Sequence, residues 1–190
     1  MRAGIKPEVV IVAAAAIADR NGWDQITLAS VAAQLGIRTP SLYNHVDGLP
    51  DLRQKLGLYA LQLLTSSLHD AAIGHSGKQA LIEVAKAYLE FVRLHPGLYE
   101  AINRVTSPKP PEFEVATEQL LSLFIRLMQP LGLPQEEAIH AIRGIRSMIH
   151  GFAALEAMGG FQIPQDLLES ITKSITYYLN GLLDSFNMDN

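Results

Sequence analysis

The twenty residues from Thr27 to Val46 constrain the fold of this chain more than any other stretch. Thr27 suits the N-cap of a short helix, because its hydroxyl can accept a hydrogen bond from a free N–H group of the first turn. Gly36 suits the left-handed turn after that helix, and Thr39 followed by Pro40 opens a second helix. Two helices this short are unstable alone and must share a core. The stretch therefore predicts a helix-turn-helix.

The helix-turn-helix has an apolar side that predicts its core. Apolar residues recur there every three or four positions, which places them on one face of the first helix. Two more follow the glycine and can close over that face. Trp23 and Ile26, in the connection before the first helix, are predicted to plug the same small core. The other predicted core residues are Leu28, Val31, Ala32, Leu35, Ile37 and Leu42.

The polar side of the second helix faces outward and predicts contacts with DNA. Arg38, at the turn, can reach a guanine or a phosphate. Ser41 and Asn44 are candidates for base edges in a major groove, where hydrogen-bonding side chains distinguish the base pairs. The remaining predicted contacts are Thr39 and Pro40 in the second helix, with phosphate contacts from Thr27 and Ser30 at the start of the first.

A leucine, a tyrosine and a histidine give the second helix a recognisable signature. The stretch resembles the DNA-binding domain of TetR-family transcriptional regulators, in which a glycine-centred turn precedes Leu-Tyr-x-His. Here these positions are Gly36, Leu42, Tyr43 and His45, and the resemblance covers residues 1–56. It implies that Tyr43 and His45 hold the DNA backbone.

Two positions depart from the family pattern. Val46 and Leu49 stand where the family often has an aromatic residue and a lysine. The phosphate contact of that lysine is therefore missing, or backbone N–H groups at the start of the next helix replace it. Arg2 and Lys6 in the N-terminal tail can compensate through their charge.

The second half of the chain carries a second resemblance. Parts of this half resemble the WHG-type C-terminal domain of one branch of the TetR family: Tyr88, the segment His95–Tyr99, the run Arg146–Phe152, Leu155-Glu156 and the segment Gly159–Phe161. The resemblance implies a homodimer formed through the last two helices and a cavity for a small-molecule effector. A repressor that such an effector releases from its operator is the expected function.

Eleven side chains are candidates for the effector cavity, although aromatic residues and methionines more often fill helix interfaces. His95 and His150 need hydrogen-bond partners if they are buried, so a structural role suits them as well. Arg146 can pair with Glu156 or Glu90, or can bind an anionic effector. The candidates are Tyr88, Phe91, His95, Tyr99, Phe113, Phe124, Met128, Arg146, Met148, His150 and Phe152.

The last two predicted helices carry apolar faces broader than a peripheral helix needs. Pairing both with their copies gives a four-helix interface and a two-fold axis. That axis places two recognition helices in successive major grooves, about 34–36 Å apart, which predicts a palindromic operator. The predicted interface residues are Ile142, Ile145, Ile149, Phe152, Leu168, Ile171, Ile175, Tyr178, Leu179, Leu182 and Phe186.

No stretch predicts a β-strand or a repeat, so the predicted fold class is all-α with about nine helices. A three-helix DNA-binding domain over residues 1–48 precedes a helical effector-binding and dimerisation domain over residues 49–190. A long helix from the region of Leu49 to Ala72 joins them. Prolines and glycines predict the later breaks. Predicted helices run from 76 to a break at Pro96-Gly97, then over 98–105, 112–128, 134–159 and 164–186.

Charge and cysteine content bound the function further. Residues 1–60 hold six Lys and Arg against five Asp and Glu, whereas residues 61–190 hold nine against fourteen. The acidic balance therefore lies away from the predicted DNA-binding face, and the small positive excess predicts salt-sensitive binding that needs a dimer. The absence of cysteine excludes disulfides and thiolate metal sites and fits a cytoplasmic protein.

Four other interpretations are weighed against a DNA-binding regulator. Glu137 and His140 have the spacing of a helical di-iron pair, but no second copy and no other catalytic motif accompany them, so we expect no enzyme, metal or cofactor. The apolar run Val9–Ala18 mimics a signal peptide, but Glu8 abuts it. No window is apolar enough for a membrane span. A helical dimeric scaffold without DNA or ligand binding is the alternative function.

Overall fold

The computed structural model describes residues 5–188, with side chains described to residue 186. Over this range the backbone forms eight α-helices, three short 3₁₀ helices and no β-strand, which confirms the predicted all-α class. The nine predicted helices correspond to the eight α-helices and the 3₁₀ helix Thr39–Asn44. The other 3₁₀ helices are Trp23–Gln25 and Gln129–Leu131. The α-helices are α1 Pro7–Asn21, α2 Leu28–Leu35, α3 Leu49–Ala72, α4 Gly77–Leu94, α5 Pro96–Arg104, α6 Pro111–Met128, α7 Gln135–Ala157 and α8 Leu167–Met188.

Prolines begin helices in this chain as well as separating them. Pro96 is the first residue of α5 and Pro111 the first of α6, positions where the missing N–H group costs nothing. The sequence placed these starts one or two residues too late, at 98 and 112. The break between α4 and α5 therefore shrinks to His95 alone. In the described part of the chain, no helix combines the length and apolar content that crossing a bilayer requires.

The chain folds into two compact units. The first unit contains the chain up to Leu63 together with Leu94–Thr117, and the second contains Leu64–Arg93 and the chain from Glu118 onward. Helix α3 runs from the first unit into the second. The predicted boundary after residue 48 divides the chain by function and stays a prediction. The compact units differ from it because α5 packs against α1.

In the first unit, α5 meets α1 with the two backbones in contact. The buried face of α1 consists largely of alanines, which let another helix approach closely. A Cβ atom added to Gly97 would overlap the carbonyl group of Ala18 and lie 2.6 Å from the backbone nitrogen of Asp19. The Asp19 carboxylate accepts a hydrogen bond from the N–H group of Leu98 at 3.0 Å and pairs with Nδ1 of His95 at 2.8 Å. The start of α5 is therefore fixed to the end of α1.

In the second unit, α7 and α8 cross where a glycine meets a tyrosine. A Cβ atom added to Gly144 would lie 2.5 Å from the hydroxyl oxygen of Tyr178. At the end of α4, the Nε–H group of Arg93 is shared between the two carboxylate oxygens of Glu156, at 3.0 and 2.7 Å. This hydrogen bond raises the pKa of the Arg93 guanidinium above its ordinary value. Fully buried core residues of this unit include Leu81, Leu89, Met128, Ile145 and Ile149.

Candidate nucleic-acid interface

Helix α2 begins and ends at the residues that the sequence predicts. The Thr27 hydroxyl accepts a hydrogen bond from the Ser30 N–H group, and the Ser30 hydroxyl accepts one from the Thr27 N–H group, both at 3.0 Å. This reciprocal pair is a capping box. Gly36 follows the helix at a φ of +64°, a left-handed conformation that glycine adopts at little cost. The predicted caps of α2 are therefore confirmed.

The second predicted helix is the 3₁₀ helix Thr39–Asn44, here called the recognition helix. Arg38 is its N-cap residue, and the fully buried Leu42 anchors it. Positions three apart share a side of a 3₁₀ helix, and Ser41 and Asn44 are both exposed. The recognition helix therefore has a buried apolar side and an exposed polar side. Of the predicted core, Trp23, Ile26, Val31, Ala32 and Leu42 are buried, whereas Leu28, Leu35 and Ile37 are half-buried.

All nine predicted DNA contacts reach the surface at least in part. Tyr43 is 59% exposed, which is unusual for so large an aromatic side chain. Surface position is what a DNA contact requires, and the contacts themselves stay predictions. Thr27, Arg38, Pro40, Ser41, Tyr43 and Asn44 are exposed, and Ser30, Thr39 and His45 are half-buried.

The hydroxyl groups of Thr27 and Ser30 already have partners inside the protein. Thr27 Oγ1 lies 3.1 Å from Ser30 Oγ and donates to it. Ser30 Oγ lies 2.9 Å from two carbonyl oxygens, those of Gln25 and Thr27. A hydroxyl carries a single hydrogen, so neither group has one left for a phosphate while the capping box is intact. Phosphate contacts from these two side chains would require the box to open.

The residues after the recognition helix connect it to α3. Asp51 Oδ2 accepts a hydrogen bond from the Asp47 N–H group at 2.8 Å and pairs with Lys55 Nζ at 2.7 Å. Lys55 also donates to the carbonyl oxygen of His45 at 3.1 Å. Leu49, which stands where the family often has a lysine, is half-buried. Sequence reasoning missed this connection, although the spacing of four residues between Asp51 and Lys55 was a visible signal.

Sequence reasoning also missed Arg53, which lies on the second turn of α3. Its Nη2 atom donates to the carbonyl oxygen of Ile26 at 3.3 Å. Its guanidinium carbon lies 5.0 Å from the centroid of the Trp23 ring, a cation–π arrangement. No local pattern marks this arginine, because its partners lie almost thirty residues earlier in the chain. Arg53 therefore links α3 to the connection that leads into α2.

Comparison with known proteins decides the family. The sequence model described as "Tetracyclin repressor-like, C-terminal domain" matches residues 81–177. The chain is 37% identical to the uncharacterized HTH-type transcriptional regulator YobS of Bacillus subtilis (strain 168), over 96% of this chain and 95% of that protein. The chain belongs to the TetR family of transcriptional regulators.

Two further comparisons place this TetR-family chain among its relatives. It is 32% identical to the HTH-type transcriptional repressor DrrR1 of Streptomyces coeruleorubidus, over 76% of this chain and 51% of that protein. Its fold is similar to that of SCO7222, a TetR from Streptomyces coelicolor, with a TM-score of 0.73 and 19% identity over 95% of this chain and 98% of that one. The resemblance to TetR regulators is therefore confirmed, and the WHG-type subdivision stays a prediction.

The eleven effector-pocket candidates of this TetR-family chain are divided between the two units. His95, which pairs with Asp19, belongs to the first unit with Tyr99 and Phe113. The two glutamates suggested as partners of Arg146 both contact Arg93 instead. The pocket itself stays a prediction. Tyr88, Phe91, Tyr99, Phe113, Phe124 and Met128 are buried, His95, Met148 and Phe152 are half-buried, and Arg146 and His150 are exposed.

A surface groove of about 290 Å³ lies in the second unit, among α3, α4 and the start of α8. Its lining contains two glutamates, a lysine and a histidine beside three apolar residues, so its chemistry differs from that of the predicted apolar cavity. None of the eleven candidates lines it. The ionisable lining residues are His75, Glu83, Lys86 and Glu90.

The predicted dimer interface separates into core and surface residues. Six of its eleven members are buried inside the single chain, where α7 and α8 pack on each other, and have little surface left to offer a second copy. The interface prediction is kept for the half-buried members. Those are Phe152, Leu168, Tyr178, Leu182 and Phe186, whereas Ile142, Ile145, Ile149, Ile171, Ile175 and Leu179 are core. Exposed apolar residues that sequence reasoning did not assign to the interface include Leu155, Met158, Ile163 and Tyr177.

Proposed function

We propose that this TetR-family protein binds a palindromic operator as a homodimer and represses transcription until a small effector releases it. The observation that carries the DNA-binding part is the recognition helix, which is anchored by Leu42 and exposes Arg38, Ser41 and Asn44. These three side chains supply the donors and acceptors that base edges require. The relative DrrR1 is named a transcriptional repressor, which favours repression over activation.

A homodimer supports this function because a single recognition helix covers only a half-site. Tyr177 on α8 and Met158 after α7 are large apolar residues that are exposed in the single chain, and a second copy that covers them would remove their apolar surface from water. A two-fold axis through that contact presents one recognition helix to each of two successive major grooves. The operator then repeats each half-site in inverted orientation.

Effector release requires a connection between the two units, and α3 supplies one. This helix of 24 residues is about 36 Å long, begins beside the recognition helix and continues into the second unit. An effector that binds the second unit more tightly when α3 is displaced lowers the affinity of the first unit for DNA, because linkage is reciprocal. Moving the population from mostly bound to mostly free requires about 10⁴-fold differential affinity. Buried aromatic candidates such as Tyr88, Phe91 and Phe124 favour an apolar or amphipathic ligand.

The test of DNA binding is a titration of the full chain with DNA from upstream of its own gene, at several salt concentrations. We expect specific binding, and the logarithm of its association constant should fall linearly with the logarithm of the salt concentration. N44A is expected to lose about 1–3 kcal/mol of discrimination at one base pair of each half-site. Q119A, which removes an exposed side-chain amide from α6, is the matched control and should bind as the wild type does. Absence of specific binding at every salt concentration would overturn the proposal and favour the scaffold alternative.

The dimer is tested separately by sedimentation velocity. The chain is expected to sediment as twice its mass of 20.8 kDa at the concentrations that saturate DNA. Replacing the exposed Tyr177 by aspartate should shift the population toward monomer, because a charge at an apolar contact must be desolvated. A wild-type chain that binds specific DNA while remaining monomeric would refute the dimer and leave the DNA-binding part standing.

A further inference from the structure

Arg53 differs from the other arginines of the chain in its burial and its partners. Among residues 5–186, only Arg53 and Arg93 are half-buried, and the remaining arginines are exposed. Arg93 lies against two glutamates, Glu90 and Glu156. Arg53 makes no ion pair with any carboxylate in the described chain, and its one hydrogen-bond acceptor is the neutral carbonyl of Ile26. A half-buried charge without a counterion is costly, so an anion supplied from outside would stabilise it.

The guanidinium of Arg53 has hydrogens to spare for such an anion. Of its five N–H bonds, one on Nη2 is donated to Ile26. The Nε atom is fully buried without a partner. The Nη1 atom also lacks a partner within residues 5–188, but it is not fully buried, so its N–H bonds can reach a group in solvent. The side chain is therefore fixed on one side and open on the other.

Arg53 lies near the start of α2, where the sequence predicts a DNA phosphate. The two hydroxyl groups predicted to bind that phosphate have no free hydrogen to donate to it. Ile26, which Arg53 contacts, directly precedes Thr27 at the start of α2. Thr27 and Ser30 are the predicted phosphate contacts there, and the capping box uses their hydroxyl hydrogens. Asp24, three residues before Thr27, is exposed and forms no ion pair with Arg53, and Asp51, two residues before Arg53, pairs with Lys55 instead. Arg53, which contacts the residue before Thr27, can therefore supply the phosphate with the hydrogen-bond donor that the two hydroxyls lack.

We propose that Arg53 binds a backbone phosphate of operator DNA at the start of α2. The inference rests on the proposed DNA-binding function. A planar guanidinium can bind two phosphate oxygens at once, and contact with Trp23 and Ile26 already holds the side chain in place. A phosphate contact carries no sequence information, so Arg53 sets the affinity for DNA and leaves the choice of operator to the recognition helix.

The test compares the salt dependence of DNA binding between the wild-type chain and three variants. Each phosphate contact adds about 0.9 to the slope of log K against log salt. R53M should lower the slope by about 0.9 for each Arg53 in the complex and weaken binding about tenfold or more, on specific and non-specific DNA alike. R53K keeps the charge and should keep the slope while losing part of the affinity. R104M, which removes an arginine already paired with Glu100 in the same unit, should leave both unchanged.

Two outcomes for R53M would overturn this inference alone. Weaker binding with an unchanged slope would mean that Arg53 acts only by holding Trp23 and Ile26, and unchanged binding would mean that it does nothing for DNA. A wild-type chain that binds no DNA would overturn the proposed function and the inference with it.

A second measurement covers the case in which R53M fails to fold. Single phosphates of the operator are replaced by uncharged methylphosphonates, one position at a time, and binding is compared between the wild type and R53K. One position in each half-site should weaken the wild type about tenfold and R53K distinctly less, because the bidentate contact is already lost in R53K. Equal losses for both proteins at every position would refute a phosphate contact by Arg53.

Discussion

The two units of this TetR-family chain join their helices in different ways. In the first unit, the backbone of α5 at Gly97 lies against the backbone of α1 at Ala18. In the second unit, Gly144 of α7 lies against the side chain of Tyr178 on α8. A side chain can change its rotamer when an atom is added beside it, whereas two backbones can separate only if whole helices move. We call these two contacts the first and the second junction. The first is therefore expected to resist an added side-chain atom, and the second to accept one.

The largest effect is expected for G97A. The new methyl group would overlap the carbonyl of Ala18, so α5 must move away from α1, and we expect the free energy of unfolding to fall by about 3 kcal/mol. Urea denaturation followed by circular dichroism measures the loss. G151A is the matched control, because no atom lies within 4 Å of the added methyl group, and alanine should stabilise α7 by about 1 kcal/mol. A G97A chain as stable as the wild type would show that the contact between α5 and α1 can accept an added methyl group, contrary to what we expect for the first unit.

The next effect is expected for D19A, which removes the acceptor at the start of α5. Leu98 loses the acceptor of its N–H group and His95 loses a hydrogen-bond partner of Nδ1, so the expected cost is about 1–2 kcal/mol. D19N keeps an oxygen for Leu98 and should cost less. D184A, at an exposed position of α8, is the control and should stay within about 0.5 kcal/mol of the wild type. Thermal unfolding distinguishes the three, and equal stability of D19A and D184A would contradict the assigned role of Asp19.

A smaller effect is expected for G144A. Its methyl group meets the Tyr178 hydroxyl oxygen, which can move, and the better helix propensity of alanine offsets part of the strain, leaving a net cost of about 1 kcal/mol or less. Adding Y178F removes the atom nearest to the new methyl group and should recover part of the loss, as urea unfolding can measure. A cost as large as that of G97A would show that the second junction is as rigid as the first.

The smallest effect concerns pH and the same tyrosine. Burial raises the pKa of Tyr178 above the ordinary value of about 10, and the nearby charge of Glu137 adds to the shift. Because the folded chain then holds this proton more tightly than the unfolded chain, its contribution to stability is constant below about pH 10 and is lost as pH rises through the folded-state pKa. Y178F should therefore lose less stability than the wild type between about pH 9 and 11, measured by urea unfolding. If the free energy of unfolding fell equally with pH for the two proteins, this prediction would be wrong.

The helix-turn-helix could be predicted because its signals are local. Thr27 is a helix cap within three residues of the group it binds, and Gly36 marks a turn through its own conformation. The beginning of α5 was less predictable, since a proline is compatible with both the end of one helix and the start of the next. Pro96 was interpreted as a break, and it is the first residue of α5.

Two of the missed contacts have a different property in common, which is the long distance along the chain between the two partners. Arg53 and Ile26 lie 27 residues apart, and Asp19 and His95 lie 76 apart. Helical periodicity indicates which face of a helix is buried but not which residue of another helix it meets. The same limit applies to the effector pocket, because an aromatic residue on an apolar face has the same spacing whether it lines a cavity or fills the core.

Trp23, the ring that Arg53 contacts, also gives the protein an intrinsic fluorescent probe. Trp23 is the single tryptophan of the chain and is buried in the first unit beside the start of α2. When tryptophan is excited selectively, all of the emitted light comes from that one ring. The fluorescence spectrum therefore reports on the unit that carries the recognition helix, without a chemical label and without a signal from the second unit.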